Sequence, residues 1–468
     1  MKRALSADRL ILVYIPWIIS VLLSADAVLS YLSAWIGSLL IFYWTIGGKI
    51  KSIPTDLPLS QQLMRPLFLV QIIFAGYMCC TSIFYFLSVL GYENFNPPPP
   101  YFLMDLNELE MVAQCQRYYV LGHAAFVTGI LMIMDYPLKT VYKANVKNIA
   151  NFLMLFALIT LPTATFFLLI PGLRQFYFQF NALSFIAGTL ALAFAIPLKK
   201  LENTAICAGL YAFNFAQTLI SGFKEPIIIS VLVLGIFLYP FYRKAIIITF
   251  IPILLFLFMV LPTYNQVYRD QAWSGNLSSD AASEAALDAV FNSEIEDNTT
   301  WGFLTGRLSE IGMFTQYAAT TPFPIPYYGL ELVEQGISVI VPRIFWPDKP
   351  ITESMVMERV YNAGIVERGT SASAKPALIV DGFLSGGALG VFLTLLIYGM
   401  AAQKISMYAE KLFGGYLLGT ALLYSGLFQI FWRGLSFEFL INSVFWSFIT
   451  MLVIFRLFRL LNIIKKAG

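Results

Sequence analysis

The chain has 468 residues, 58% of them hydrophobic and only 12% charged, with a mean hydropathy of +0.73 and a formal charge of +3. A water-soluble domain is typically about 45–50% apolar and about 25% charged, so a single soluble core is excluded, as are disorder, collagen and a disulfide-knit secreted module. So small a net charge offers no basic stripe to follow a phosphate backbone, which argues against a nucleic-acid binder. An all-α polytopic membrane protein remains.

In chain order, apolar runs fall at 10–27, 28–47, 66–90, 118–134, 149–170, 176–197, 204–221, 226–241, 245–262, 386–402, 413–431 and 438–457. Each approaches the ~20 residues that a helix needs to cross a bilayer. Polar residues, Pro or Gly separate them, as helix ends require. Twelve crossings are predicted. With the N-terminus inside, the inner segments hold nineteen Lys and Arg, from Lys2, Arg3 and Arg9 to Lys465 and Lys466. The short outer loops hold four: Arg117, Arg174, Lys224 and Arg433. That alternation is the positive-inside pattern and predicts both termini in the cytoplasm. Met1–Ser24 also has the basic start and apolar length of a signal peptide, with Ala25-Asp26-Ala27 as a small-residue cleavage site. Cleavage there would leave eleven spans in the same orientation.

The division of the chain is then 1–262 with nine spans, a large outer loop over 263–385, and 386–468 with three spans. The loop holds 123 residues, fifteen acids and seven bases. Within it, 270–300 reads as a flap, rich in Ser, Asn, Asp and Ala. Three groups recur at helical spacing beyond it: Leu308, Ile311, Met313 and Phe314; Leu330, Val333 and Ile337; and Met355, Val356 and Tyr361. These predict short amphipathic helices on the membrane surface or over a cavity. A second outer loop, 91–117, carries the stiff run Pro97–Pro100. No internal repeat is visible, which counts against a symmetric transporter.

Cations collect on the outer face, where the charge rule disfavours them. Lys224 sits in the turn Ser221-Gly222-Phe223-Lys224-Glu225-Pro226, and Arg433 in Phe431-Trp432-Arg433-Gly434. Arg307 and Glu310 are three residues apart, so a helix would put both on one face, and Arg343 and Lys349 flank a proline-rich stretch. Convergent Arg and Lys at a water–lipid boundary suit a phosphate-bearing lipid; the alternative is a set of surface ion pairs and headgroup anchors. Among the proton-transfer candidates, Asp381 serves as a general base, an acceptor for a sugar hydroxyl or a helix cap. His123 is a proton acceptor or a packed histidine. That single histidine and the four cysteines, Cys79, Cys80, Cys115 and Cys207, offer no zinc spacing, so no metal or cofactor is expected. Trp301, Tyr327, Tyr328, Trp346 and Trp432 are candidates for stacking on sugar faces.

The layout and several short stretches resemble bacterial oligosaccharide repeat-unit polymerases of the Wzy type, which serve O-antigen and enterobacterial common antigen. Ser221-Gly222-Phe223-Lys224 is similar to that family's Gly-x-Arg turn, with Lys in place of Arg. Val341-Pro342-Arg343-Ile344-Phe345-Trp346-Pro347-Asp348-Lys349-Pro350 resembles its Pro-x-x-x-Trp-Pro-x-(Lys/Arg)-Pro segment. Arg307 matches an Arg early in the outer loop, the stretch 376–390 matches the approach to the next span, and Arg433 matches an Arg at the start of the last span. The match in residues is confined to the C-terminal half.

The resemblance implies a GT-C-like, metal-independent glycosyltransferase of the bacterial inner membrane, active at the periplasmic face. It would transfer a growing chain from undecaprenyl pyrophosphate to a new lipid-linked repeat unit. Arg307, Arg343, Arg433, Lys224 and Lys349 would hold the pyrophosphate, with Asp381, Glu310 and His123 as catalytic candidates. A flippase and a chain-length regulator would be partners. The competing readings are an O-antigen ligase, a polysaccharide or lipid transporter, and a structural or regulatory membrane protein.

Overall fold

The computed structural model describes residues 6–467 apart from 171, 221–224, 273–277, 293–300, 343–344 and 369–373. Seven helices among the described residues are long and apolar enough to cross a membrane: Ala27–Ile46, Gln71–Val89, Ile149–Leu168, Gln175–Ala195, Pro226–Leu257, Leu378–Leu412 and Phe437–Leu460. Helix is the expected form for such runs, because lipid offers backbone groups no partner and the helix pairs them internally. Where helices leave the apolar layer, polar side chains close them. Asp26 accepts from the Leu29 amide, Asp105 from Asn107 and Glu108, and Asn148 from Asn151.

Those seven helices carry eight of the twelve predicted runs, two of them in one helix. The other four runs are helical as well, but shorter, broken or more polar. Run 10–27 divides into Ala7–Leu12 and Ile15–Leu22, with Pro16 in the first turn of the second. Run 118–134 is the inner part of Leu106–Ile133, which begins in the polar sequence Leu-Asn-Glu-Leu-Glu. Run 204–221 coincides with Leu201–Ile220, and run 413–431 with Leu417–Leu427 and Ile430–Arg433.

Two of the long helices fold back on themselves. Glu225–Ala272 breaks at Tyr242, whose φ of −132° and ψ of 46° are not helical. A Cβ on Gly235 would stand 2.9 Å from the Phe250 ring, although fifteen helical residues would separate them by ~22 Å. The two halves are therefore antiparallel neighbours, packed through Ile227, Val231 and Leu257. Leu378–Leu412 breaks at Gly386 and Gly387 in the same way. A Cβ on Gly382 would stand 3.1 Å from Thr394 and 3.2 Å from the Gly390 carbonyl oxygen, so the first two turns form a short re-entrant arm against the rest.

The helix ends gather into two groups. At one end, strand Tyr142–Ala144 pairs antiparallel with Ile464–Lys466, Tyr142 opposite Lys466. Beside it, Arg65 is gripped by two carboxylates, donating to Asp56 at 2.6 and 2.9 Å and to Glu410 at 3.0 Å twice. Burial works against charge on Arg65, but Asp56 and Glu410 together raise its pKa above the usual value. Burial also pushes the Asp56 carboxyl up, yet the hydrogen bonds and charge of Arg65 outweigh this and hold it below the usual range. These segments are the ones that the basic-residue count groups on a single side.

The opposite end carries the outer-loop helices. Ile311–Thr320, Glu331–Ser338 and Thr352–Asn362 occupy the positions that the apolar spacing predicts. The middle one differs in its buried face: Leu332 and Gly336 point inward, while Leu330 and Ile337 are exposed. The expected flap is corrected in part. Residues Ser279–Asn292 form a helix because Ala282, Ala286 and Val290 recur every fourth residue and pack on Tyr264 and Tyr268. The preceding helix continues beyond residue 263 to Ala272.

Candidate functional site

Arg433 ends the short helix Ile430–Arg433, and the sequence dictates the sharp turn that follows. Gly434 takes the left-handed conformation (φ 60°, ψ 47°), and any Cβ there would strike the Phe74 ring. Its carbonyl accepts from the Leu378 amide at 2.6 Å, and Leu435 bridges to Ala377. The turn bearing Arg433 is thus tied to the re-entrant arm.

Arg433 borders two cavities. The smaller is a narrow cleft of about 10 Å³, room for about one water, lined by Phe74, Tyr77, Tyr119, Glu310 and Ile379. Glu310, just ahead of Ile311–Thr320, accepts there from the Tyr77 hydroxyl at 3.3 Å. The larger cavity, about 610 Å³, lies among Gln175–Ala195, Leu201–Ile220 and the stretch 426–443. Besides Arg433, its polar lining includes Gln179, Asn181, Gln217, Thr218, Gln429 and Ser443, with the Tyr177 and Phe178 rings alongside. Amides, hydroxyls and aromatic rings around an open volume suit a hydroxyl-rich ligand with apolar ring faces.

Behind the cleft lies a buried charge cluster. Arg359, on Thr352–Asn362, donates to both oxygens of Glu438 at 2.7 and 2.8 Å and to Asp381 Oδ2 at 3.1 Å. The Phe437 amide also donates to Asp381 Oδ2, at 2.8 Å. All three charged side chains are almost wholly buried. Burial disfavours the guanidinium charge, but the Asp381 and Glu438 carboxylates outweigh it and raise the Arg359 pKa. The cluster joins three elements around the cleft: an outer-loop helix, the re-entrant arm and the start of Phe437–Leu460.

Of the residues predicted from sequence, Arg433 and Glu310 meet in this cleft, although more than a hundred residues separate them. Asp381 borders neither cavity; it is an ion-pair partner and closes the first turn of Phe437–Leu460. His123 is buried within Leu106–Ile133, with Nε2 at 3.0 Å from Gln71 Nε2 and the Phe42 ring against it, and borders neither cavity. Lys349 donates to the backbone carbonyls of Val339 and Val341 in its own loop. Arg307 lies in the π-helical turn Leu304–Leu308, and its side chain falls outside the described residues, as do Lys224 and Arg343 entirely. Among the candidate stacking rings, Trp301 and Trp432 are buried, while Tyr327 and Trp346 are exposed.

Arg359 and Glu438 were not anticipated. A signal for Glu438 is present in Ser436-Phe437-Glu438-Phe439, where an acid heads an apolar run and demands a partner there. Nothing local singles out Arg359 as that partner.

The chain belongs to a family described as a domain of unknown function, DUF8712, whose model matches residues 15–466. No curated protein and no solved structure matches it.

Proposed function

We propose that this DUF8712 member is a membrane glycosyltransferase that polymerises undecaprenyl-pyrophosphate-linked oligosaccharide repeat units at the periplasmic face of the bacterial inner membrane. The observation that carries the proposal is Arg433, a cation between a cavity suited to sugars and a cleft holding a carboxylate. A donor that brings its own leaving group needs these parts and no nucleotide site.

In the step proposed, an acceptor sugar hydroxyl attacks the anomeric carbon of the donor chain. The carbon–oxygen bond to pyrophosphate breaks, and its electron pair leaves on the pyrophosphate oxygen. Arg433 stabilises that developing charge, and one such group is worth ~3 kcal/mol, or ~10²-fold in rate. The hydroxyl proton passes to Glu310, which Tyr77 holds by its hydrogen bond. Arg307, Arg343 and Lys224 are further cations for the pyrophosphate. Asp381 acts from behind the cleft as a positioning residue through Arg359 and Glu438.

The architecture belongs to the proposal as well: a GT-C-like bundle of twelve crossings with both termini cytoplasmic. The antiparallel halves of Glu225–Ala272 and the gathering of basic segments at one end support it. A flippase would deliver the lipid-linked unit, and a chain-length regulator would act on the product.

Arg433→Ala and Glu310→Gln provide the test, in cells that make the polymer and in proteoliposomes supplied with a lipid-pyrophosphate oligosaccharide. Each should insert normally, make far less polymer and leave single lipid-linked repeat units to accumulate. Arg433→Lys should recover only part of the activity, since a point charge loses the paired hydrogen bonds. Polymer of ordinary length and amount from both variants would overturn the proposal.

A further inference from the structure

Helix Glu331–Ser338 runs along the outer turns of Phe437–Leu460 instead of standing above them. A Cβ on Gly336 would meet the Ile441 side chain at 2.6 Å and the Phe437 carbonyl at 3.2 Å. Further along, the Trp446 indole N–H donates to the Ile340 carbonyl at 3.2 Å. Trp446 stands about two and a half turns below Phe437, or ~13 Å along the helix axis. The outer-loop chain therefore descends beside a membrane-spanning helix to that depth.

Irregular backbone at such a depth is stable only when its carbonyls find partners other than water. Three successive carbonyls do. Val339 and Val341 accept from the Lys349 ammonium, the latter at 2.8 Å, and Ile340 accepts from Trp446. Pro342, Pro347 and Pro350 carry no N–H that would need satisfying. Around this internally paired backbone apolar side chains turn outward, Ile337 56% exposed and Phe345 79%, with Val341, Trp346 and Ile351 also exposed, alongside the exposed charges Glu331, Glu334 and Asp348. Next to Trp446 begins an exposed apolar stripe of the spanning helix, Phe445, Ile449 and Val453.

We propose that residues 331–342 and 345–351 form a wedge seated in the outer leaflet, its apolar side chains in contact with lipid acyl chains at the headgroup boundary. The inference rests on Phe437–Leu460 spanning the membrane and not on the proposed reaction. It assigns Lys349 to neutralising backbone carbonyls inside the wedge.

The test uses the full chain in nanodiscs of phosphatidylethanolamine and phosphatidylglycerol. Phe345→Cys is made in a Cys80→Ser background and labelled with an environment-sensitive nitrobenzoxadiazole; Cys79, Cys115 and Cys207 are buried and do not compete. Because Phe345 is so exposed, the label should leave folding intact. Its emission should shift to the blue, lipids with a nitroxide near the headgroup should quench it, and aqueous iodide should not. Emission at the aqueous wavelength with full iodide quenching would overturn the proposal. A blue shift without quenching by nitroxide lipids would overturn it too, by showing protein instead of lipid against the loop.

Discussion

Replacing Arg359 by Met would remove the one cation shared by two buried carboxylates. In the parent, Glu438 accepts two charged hydrogen bonds from Arg359, and among the described residues Asp381 Oδ2 has only Arg359 and the Phe437 amide. Asp381 Oδ1 has no hydrogen-bond partner among the described residues. Breaking a buried pair by deleting one member costs ~3–5 kcal/mol, because the other charge stays buried and unpaired. At ~2 cal/mol/K per residue over 468 residues, the melting midpoint should fall by ~3–5 °C. The loss should also be local. Amide exchange over Thr352–Asn362 should accelerate, since Arg359 docks that helix, while Leu106–Ile133 should keep its protection. Neutralising all three members together, as Arg359→Met with Asp381→Asn and Glu438→Gln, should recover much of the midpoint, because no unpaired charge then remains. Fluorescence melts in detergent and hydrogen exchange read both effects. If the single variant melts with the parent and Thr352–Asn362 stays protected, the cluster does not fasten the outer loop to the bundle.

Three further expectations follow from particular residues. Gly387 has φ 60° and ψ −139° and lies 2.9 Å from the Tyr327 hydroxyl at its would-be Cβ, so Gly387→Ala should cost ~1–3 kcal/mol. Gly386→Ala, at φ 176° with open space around it, should cost less than ~0.5 kcal/mol; equal midpoints for the two would discredit the fold-back. Asp56 has a depressed pKa when folded, so its contribution is present above the ordinary carboxylate range and disappears as pH falls through the folded value. The parent should accordingly outlast Asp56→Asn at neutral pH, with the gap closing in acid; a gap unchanged by pH would show that Arg65 does not use the Asp56 charge. Amides within Ser279–Asn292 should exchange slowly and lose protection in Ala286→Asp, whereas complete exchange at the first time point in the parent would reinstate a flap.

Hydropathy and charge are local properties, so the sequence by itself determined the helical membrane class, the runs that become helices, and the outer-loop helices near 311, 331 and 352. The Asp105 and Asn148 caps are equally local. A hydrophobic run, however, does not reveal whether its helix is straight. The reversal of Glu225–Ala272 at Tyr242 follows the separate runs 226–241 and 245–262, but only the tertiary structure decided that Leu378–Leu412 reverses at Gly386 and Gly387, because packing of the short arm on the rest of the helix holds that reversal. Arg433 and Glu310 were each visible as charged residues outside the apolar runs, but their meeting in one cleft depends on elements that the chain brings together from far apart. Charge partners were less legible still. Asp381 and Lys349 read equally well as a base and a phosphate ligand. Which atoms surround them was decided when Arg359 and Glu438 closed on the one and the Val339 and Val341 carbonyls on the other. A buried charge must find its counterpart within a few ångströms, and distance in space between residues remote in sequence is set by packing alone.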